Sequence, residues 1–172
     1  AIGSSSDALG VNSFAGGSSA TAIGRNTIAI GNRPVAVNEG DTAIGDNAFA
    51  SGTDSIAIGT NSSSTGWEAI AIGEGAISSG PNSIAVGDDA TSTGAQSIAI
   101  GDDALALAPS ATALGNRAAA TGSLIAVAVS ADPIQSPLFL VKSTEPLDRI
   151  RLLRDQKVGA IICGGVQDAF ET

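Results

Sequence analysis

Ser55-Ile56-Ala57-Ile58-Gly59, Ser83-Ile84-Ala85-Val86-Gly87 and Ser97-Ile98-Ala99-Ile100-Gly101 are copies of one five-residue phrase set on a 14-residue grid. Outward from them, glycine recurs at 3, 17, 31, 45, 59, 73, 87, 101 and 115, always 14 apart. A second series lies midway, at 10, 24, 52, 66, 80, 94 and 122, with Asn38 and Ala108 filling its two gaps. No insertion or deletion interrupts the grid from Gly3 to Gly122. A fixed period of this kind gives every residue a counterpart directly above it in the next unit, which is the signature of a solenoid.

The columns say what each position does. Just before the first-series glycine stand Ile2, Ile30, Ile44, Ile58, Ile72, Val86, Ile100 and Leu114, with Gly16 the exception. Two residues earlier are Phe14, Ile28, Thr42, Ile56, Ile70, Ile84, Ile98 and Thr112. Alternation among β-branched residues predicts a short strand with those side chains facing inward. Small residues three and five positions after the glycine, such as Ala48 with Ala50 and Ala104 with Ala106, predict a second inward pair. Glycines and Asn47, Asp54, Asn61, Asn82 and Asp89 supply turns that need positive φ or close backbone approach. Each unit is therefore a coil of strand, turn, strand, turn, rising about 4.8 Å per coil, with isoleucine expected on one inner side and Ala or Ser on the other. Glycine every seven residues opposes a helix.

Between the two isoleucine columns runs Ala1, Ala15, Ala29, Ala43, Ala57, Ala71, Ala85, Ala99 and Ala113. Strand alternation then points this column outward, and an outward position that is always small implies a closely apposed surface. The Ala15-to-Ala113 column is thus expected to form a self-association interface. The outward column of the other strand, Asp7, Thr21, Val35, Phe49, Ser63, Ile77, Thr91, Leu105 and Ala119, is varied and reads as a free face. Identical chains associate symmetrically by default; periodicity does not fix their number.

Composition narrows the function. The 172 residues carry 8 basic and 17 acidic side chains, a net charge of −9, which opposes nucleic acid or an anionic membrane as partner. Aromatics are 3% and large side chains few, so a thick core is excluded, while 43% apolar content argues against disorder. No apolar run reaches the length of a membrane span. The chain opens inside a motif, at Ala1-Ile2-Gly3, as a piece of a longer protein would. Histidine is absent, removing the usual triads and His-bearing metal sites. Cys163, after Ile161-Ile162, reads as a small buried residue rather than a nucleophile. The glycines form no phosphate loop. No catalytic, cofactor or metal residue is assigned, and the chain is read as a non-enzyme. Asp88-Asp89 and Asp102-Asp103 should stack one period apart, with Glu74 one coil beyond. The short turn supplies few further oxygen ligands, so this edge reads as a solvated, salt-screened acidic turn rather than a cation site. Trp67 and Phe49, at or near outward positions, read as packing against a partner chain rather than anchoring a ligand.

The repeated phrase resembles the Ser-Val-Ala-Ile-Gly signature of YadA-like heads in bacterial trimeric autotransporter adhesins, over about residues 1–129. The resemblance implies a left-handed parallel β-roll in a parallel homotrimer at the tip of a surface fibre. It also implies attachment to host cells, extracellular matrix or other bacteria, at the bacterial surface. The outer-membrane anchor would lie in a region outside this chain. The expected architecture is all-β: residues 1–129 as a head of about nine coils, and 130–172 as a small mixed cap or connector. In the latter, 138–141 reads as a strand, 158–166 as strand or loop and 144–157 as a short helix, with Thr144 as N-cap and Pro146 in the first turn. Ser123 to Val129 reads as a strand capping the last coil. The alternative reading is a trimeric phage or tail-fibre protein. An ice-binding solenoid would need a flat rank of threonine, and a polysaccharide-active one longer coils with clustered carboxylates; neither pattern is present.

Overall fold

A computed structural model describes residues 1–122 and 125–127, and these residues contain strands and turns without helix. Two nine-stranded parallel sheets run the length of the molecule. One is built of three-residue strands: β2 (Phe14–Gly16), β4 (Ile28–Ile30), β6 (Thr42–Ile44), β8 (Ile56–Ile58), β10 (Ile70–Ile72), β12 (Ile84–Val86), β14 (Ile98–Ile100), β16 (Thr112–Leu114) and β18 (Ile125–Val127). The other consists of two-residue strands between them, from β1 (Asp7–Ala8) to β17 (Ala119–Ala120). Register follows the grid: Ala57 lies opposite Ala71, Ala71 opposite Ala85, and Ile77 opposite Thr91. Gly45 and Gly59 sit one over the other, so near that a Cβ on Gly45 would fall 2.7 Å from the carbonyl carbon of Gly59.

The turns follow from single residues. Asn47, Asp54, Asn61, Asn82 and Asp89 all adopt φ between 50° and 57°, as their types suggested. Gly73 combines φ 139° with backbone contact to Gly87, so a side chain there is excluded twice.

The inside of the coil corrects one sequence-based expectation. The column Ala15, Ala29, Ala43, Ala57, Ala71, Ala85, Ala99 and Ala113 is fully buried within the coil, at 0% exposure throughout. The isoleucines on either side point outward: Ile28, Ile30, Ile72 and Ile100 are exposed and Ile56, Ile58, Ile70 and Ile84 half-buried. The alternation was right and its phase was reversed. The physical reason is the width of the coil. The facing sheet already contributes two small inward residues per coil, such as Ala48 with Ala50 and Ala104 with Ala106. Between sheets joined by such short turns only methyl- and hydroxymethyl-sized groups fit opposite them, and dense packing leaves no room for isoleucine.

Hydroxyls complete this core. Ser78 and Ser92 of the two-residue strands meet Ser83 and Ser97 at 2.6 Å between Oγ atoms, and Ser83 and Ser97 lie just before β12 and β14. Asp41 is a buried carboxylate whose Oδ2 accepts the Asn38 N–H at 2.8 Å, while Oδ1 accepts the N–H and hydroxyl of Ser55 at 3.0 and 2.9 Å. Among the described residues no buried side-chain polar atom lacks a partner. Ser83→Ala removes the partner of the Ser78 hydroxyl and is expected to cost about 1–3 kcal/mol. The double variant Ser78→Ala/Ser83→Ala should recover most of that loss. Thermal unfolding of the three proteins checks this, and equal loss in single and double variants would contradict it.

At the C-terminal end the grid shortens by one residue. β18 pairs with β16 as Thr112 with Ile125 and Ala113 with Ala126, a step of 13 rather than 14. This 13-residue step keeps alanine in line with alanine. Of the strand expected over 123–129, Ile125–Val127 is described. The remaining C-terminal readings, including the helix over 144–157, the strand over 138–141, the strand or loop over 158–166, and Cys163, lie outside the described residues.

Candidate assembly and binding faces

With the alanines inside, the outer surface divides into two faces and two edges. The three-residue strands present paired columns of large apolar side chains. One column is Phe14, Ile28, Thr42, Ile56, Ile70, Ile84, Ile98 and Thr112, and the other Ile30, Ile44, Ile58, Ile72, Val86, Ile100 and Leu114. Exposure along them runs from partial to 45% at Leu114. A continuous apolar surface of this length marks an interaction site. The Ala15-to-Ala113 column is therefore a core element, not an interface, and the isoleucine columns are the apolar face left at the surface.

The opposite face carries the varied column from Asp7 to Ala119, as expected for a free face, together with Leu9, Ile23, Thr65, Ser79, Thr93 and Leu107. Phe49 lies on this face, exposed, and Trp67 stands one coil further on, in the turn between Ser63–Ser64 and Ile70–Ile72, 53% exposed. Phe49 therefore points away from the isoleucine face.

The edges are ladders of residues one coil apart. Asn12 donates to Asn26 at 3.2 Å, Asn47 to Asn61 at 3.3 Å, and Asn82 Nδ2 to Glu68 at 2.6 Å. Arg25 pairs with Glu39, Arg33 with Asp46 at 3.8 Å and Arg117 with Asp103 at 3.4 Å, all exposed and so worth little individually. The acidic edge forms as the spacing implied, with Glu74, Asp88 and Asp102 in one column and Asp89 and Asp103 in the next. Asn116 donates to Asp102 at 2.7 Å and Arg117 closes on Asp103, so the next coil relieves part of the repulsion. Among the described residues no three acidic, Cys or His side chains are grouped to hold a metal. Among the described residues there is no helix long and apolar enough to cross a membrane.

Two signals for the phase were already present in the letters. A column that stays alanine through nine coils reports a fixed interior volume. At β2 the outer columns exchange bulk, Phe14 for isoleucine and Gly16 for isoleucine, a swap that only a less confined surface accommodates.

A small-residue parallel β-solenoid with one long apolar face and one mixed face is the class these features define. The profile of the YadA head domain repeat (2 copies) matches residues 8–33, 36–62, 64–90 and 92–118, and the chain belongs to that family. Among solved structures it is similar to the collagen-binding domain of the Yersinia adhesin YadA, at 26% sequence identity and a TM-score of 0.51, over 72% of this chain and 77% of that one. No curated protein matches the chain.

Proposed function

We propose that the chain is the head of a bacterial surface adhesin. Three copies associate in parallel through their isoleucine faces and present the mixed faces to extracellular matrix or host cells. The observation that carries this reading is the pair of apolar columns, interrupted only at Gly16, Thr42 and Thr112, outside a coil whose interior is already full. Among the described residues no side chain covers this surface. Family membership supports the trimer, and the likeness to a collagen-binding domain supports a matrix ligand. The role is binding without catalysis, with residues 130–172 as a connector towards a membrane anchor elsewhere in the full-length protein. Three copies on one rigid rod place equivalent contacts side by side, so weak individual contacts gain through avidity.

The test is a sedimentation-equilibrium mass followed by binding to immobilised collagen and other matrix proteins. A trimer mass with saturable binding is expected. A stable monomer that binds none of them would remove the reading.

A further inference from the structure

The isoleucine face repeats almost perfectly along its length, and this poses a problem for assembly. Sliding one chain along another by a single coil returns isoleucine to isoleucine, since Ile56 stacks on Ile70 and Ile70 on Ile84 at the same column. A periodic apolar stripe fixes orientation but not height. Something on the face must distinguish one coil from the next.

One level does. In β2, Phe14 stands where the other strands with described side chains carry Ile or Thr, and Gly16 where they carry Ile, Val or Leu. The two departures belong together: a Cβ built on Gly16 would fall 2.8 Å from Phe14 Cε1 and 3.2 Å from Cζ. The ring thus lies over Gly16, filling the space of the missing side chain, and stays 41% exposed on the outer face. Bulk has moved from one column to the other at this level alone. Thr42 and Thr112 also depart from isoleucine, but they keep a β-branched shape and discriminate little.

We propose that the Phe14–Gly16 pair is the register pin of the assembly, engaging the same pair of its sibling chains. This rests on self-association through the isoleucine face. In a closed cyclic assembly equivalent residues meet at one height, so each leaning ring faces rings that lean the same way. A one-coil slip sets a ring that spans both columns against the separate side chains Ile28 and Ile30 and parts it from the sibling rings, so the two surfaces no longer match in shape. One slipped chain also breaks symmetry at both of its contacts. Shape mismatch at this one level thereby disfavours the wrong alignment that the repeat would otherwise allow.

The experiment uses the full chain with Cys163→Ser. Two single-cysteine versions, Ile58→Cys and Ile72→Cys, which lie on one column one coil apart, are mixed in equal amounts, co-refolded and oxidised. Cross-linked peptides are then identified by mass. Disulfides need a Cα separation of about 4.4–6.8 Å, so a slip of about 4.8 Å changes which partners join. With Phe14 and Gly16 in place, 58–58 and 72–72 links should exceed 58–72 links on the order of tenfold. In Phe14→Ile/Gly16→Ile, which restores a plain isoleucine face and removes the one level that differs, mixed links should rise to parity while melting stays close to that of the parent. An unchanged ratio overturns the pin. A monomer mass in both backgrounds removes the assembly itself, a failure distinct from loss of register. Assembly without any cross-link moves the contact off these columns and overturns both ideas.

Discussion

Ile72→Arg is expected to leave the coils stacked and to convert the assembled protein into single chains. Ile72 lies on the outer side of β10, exposed, with its side chain directed away from the fully buried Ala71 beside it. Arginine at this site is accommodated by an isolated solenoid, since solvent receives the guanidinium. In the assembly it is not. Three guanidinium groups would be brought to one level of an apolar contact, without a carboxylate in that column, and an uncompensated buried charge costs about 3–5 kcal/mol. Multiplied over three chains, this exceeds what one coil's apolar contact returns. Sedimentation velocity should report one-chain mass, far-ultraviolet circular dichroism should keep its strand signature, and avidity-dependent binding should fall. A trimer that survives Ile72→Arg would show that the contact lies elsewhere.

The second large effect is the converse. Ala57→Arg should prevent the coil from forming at all, since Ala57 is fully buried between β8 and the facing sheet, with Ala43 and Ala71 immediately below and above. Neither the volume nor the charge of a guanidinium fits a space shaped for a methyl group, and both faults act on a neighbour in each direction. Loss of the folded signal and rapid proteolysis are the expected readouts. Thr91→Arg, on the mixed outer face, should change stability by less than about 0.5 kcal/mol. Were Ala57→Arg to fold normally and lose assembly alone, the alanine column would have to point outward.

That contrast measures how much of the molecule could be read from its letters. Period, strand positions, turn residues and the stacking of Gly45 on Gly59 were legible, because each depends on spacing or on the backbone preferences of Gly, Asn and Asp. The varied face from Asp7 to Ala119 was legible as well. The phase of the longer strand was not, because alternation in Ile56-Ala57-Ile58 states only that neighbours oppose each other. Hydrophobicity alone favours isoleucine inside. The decision is made by the volume between two close sheets, a quantity that depends on the opposite strand and appears in no local window. Asp41 illustrates the same limit. Its column otherwise carries Ser, Thr or Ala, and its burial is intelligible only once Asn38 and Ser55 are seen to donate to it. The shortened step at β18 was hidden too, since an uninterrupted glycine grid up to Gly122 suggested that the same interval continued.

The hydrogen bonds that join one coil to the next, such as Ile70 N–H to Ser83 O at 2.9 Å, connect residues separated by about one turn of chain and point along the long axis of the molecule. Tension applied between the two ends therefore loads these bonds one rung after another instead of sharing the strain across many at once. Under flow, a tether built in this way yields by peeling. Each released coil adds 14 residues of extended chain, about 45–50 Å, and the remainder of the rod stays intact as that slack is drawn out.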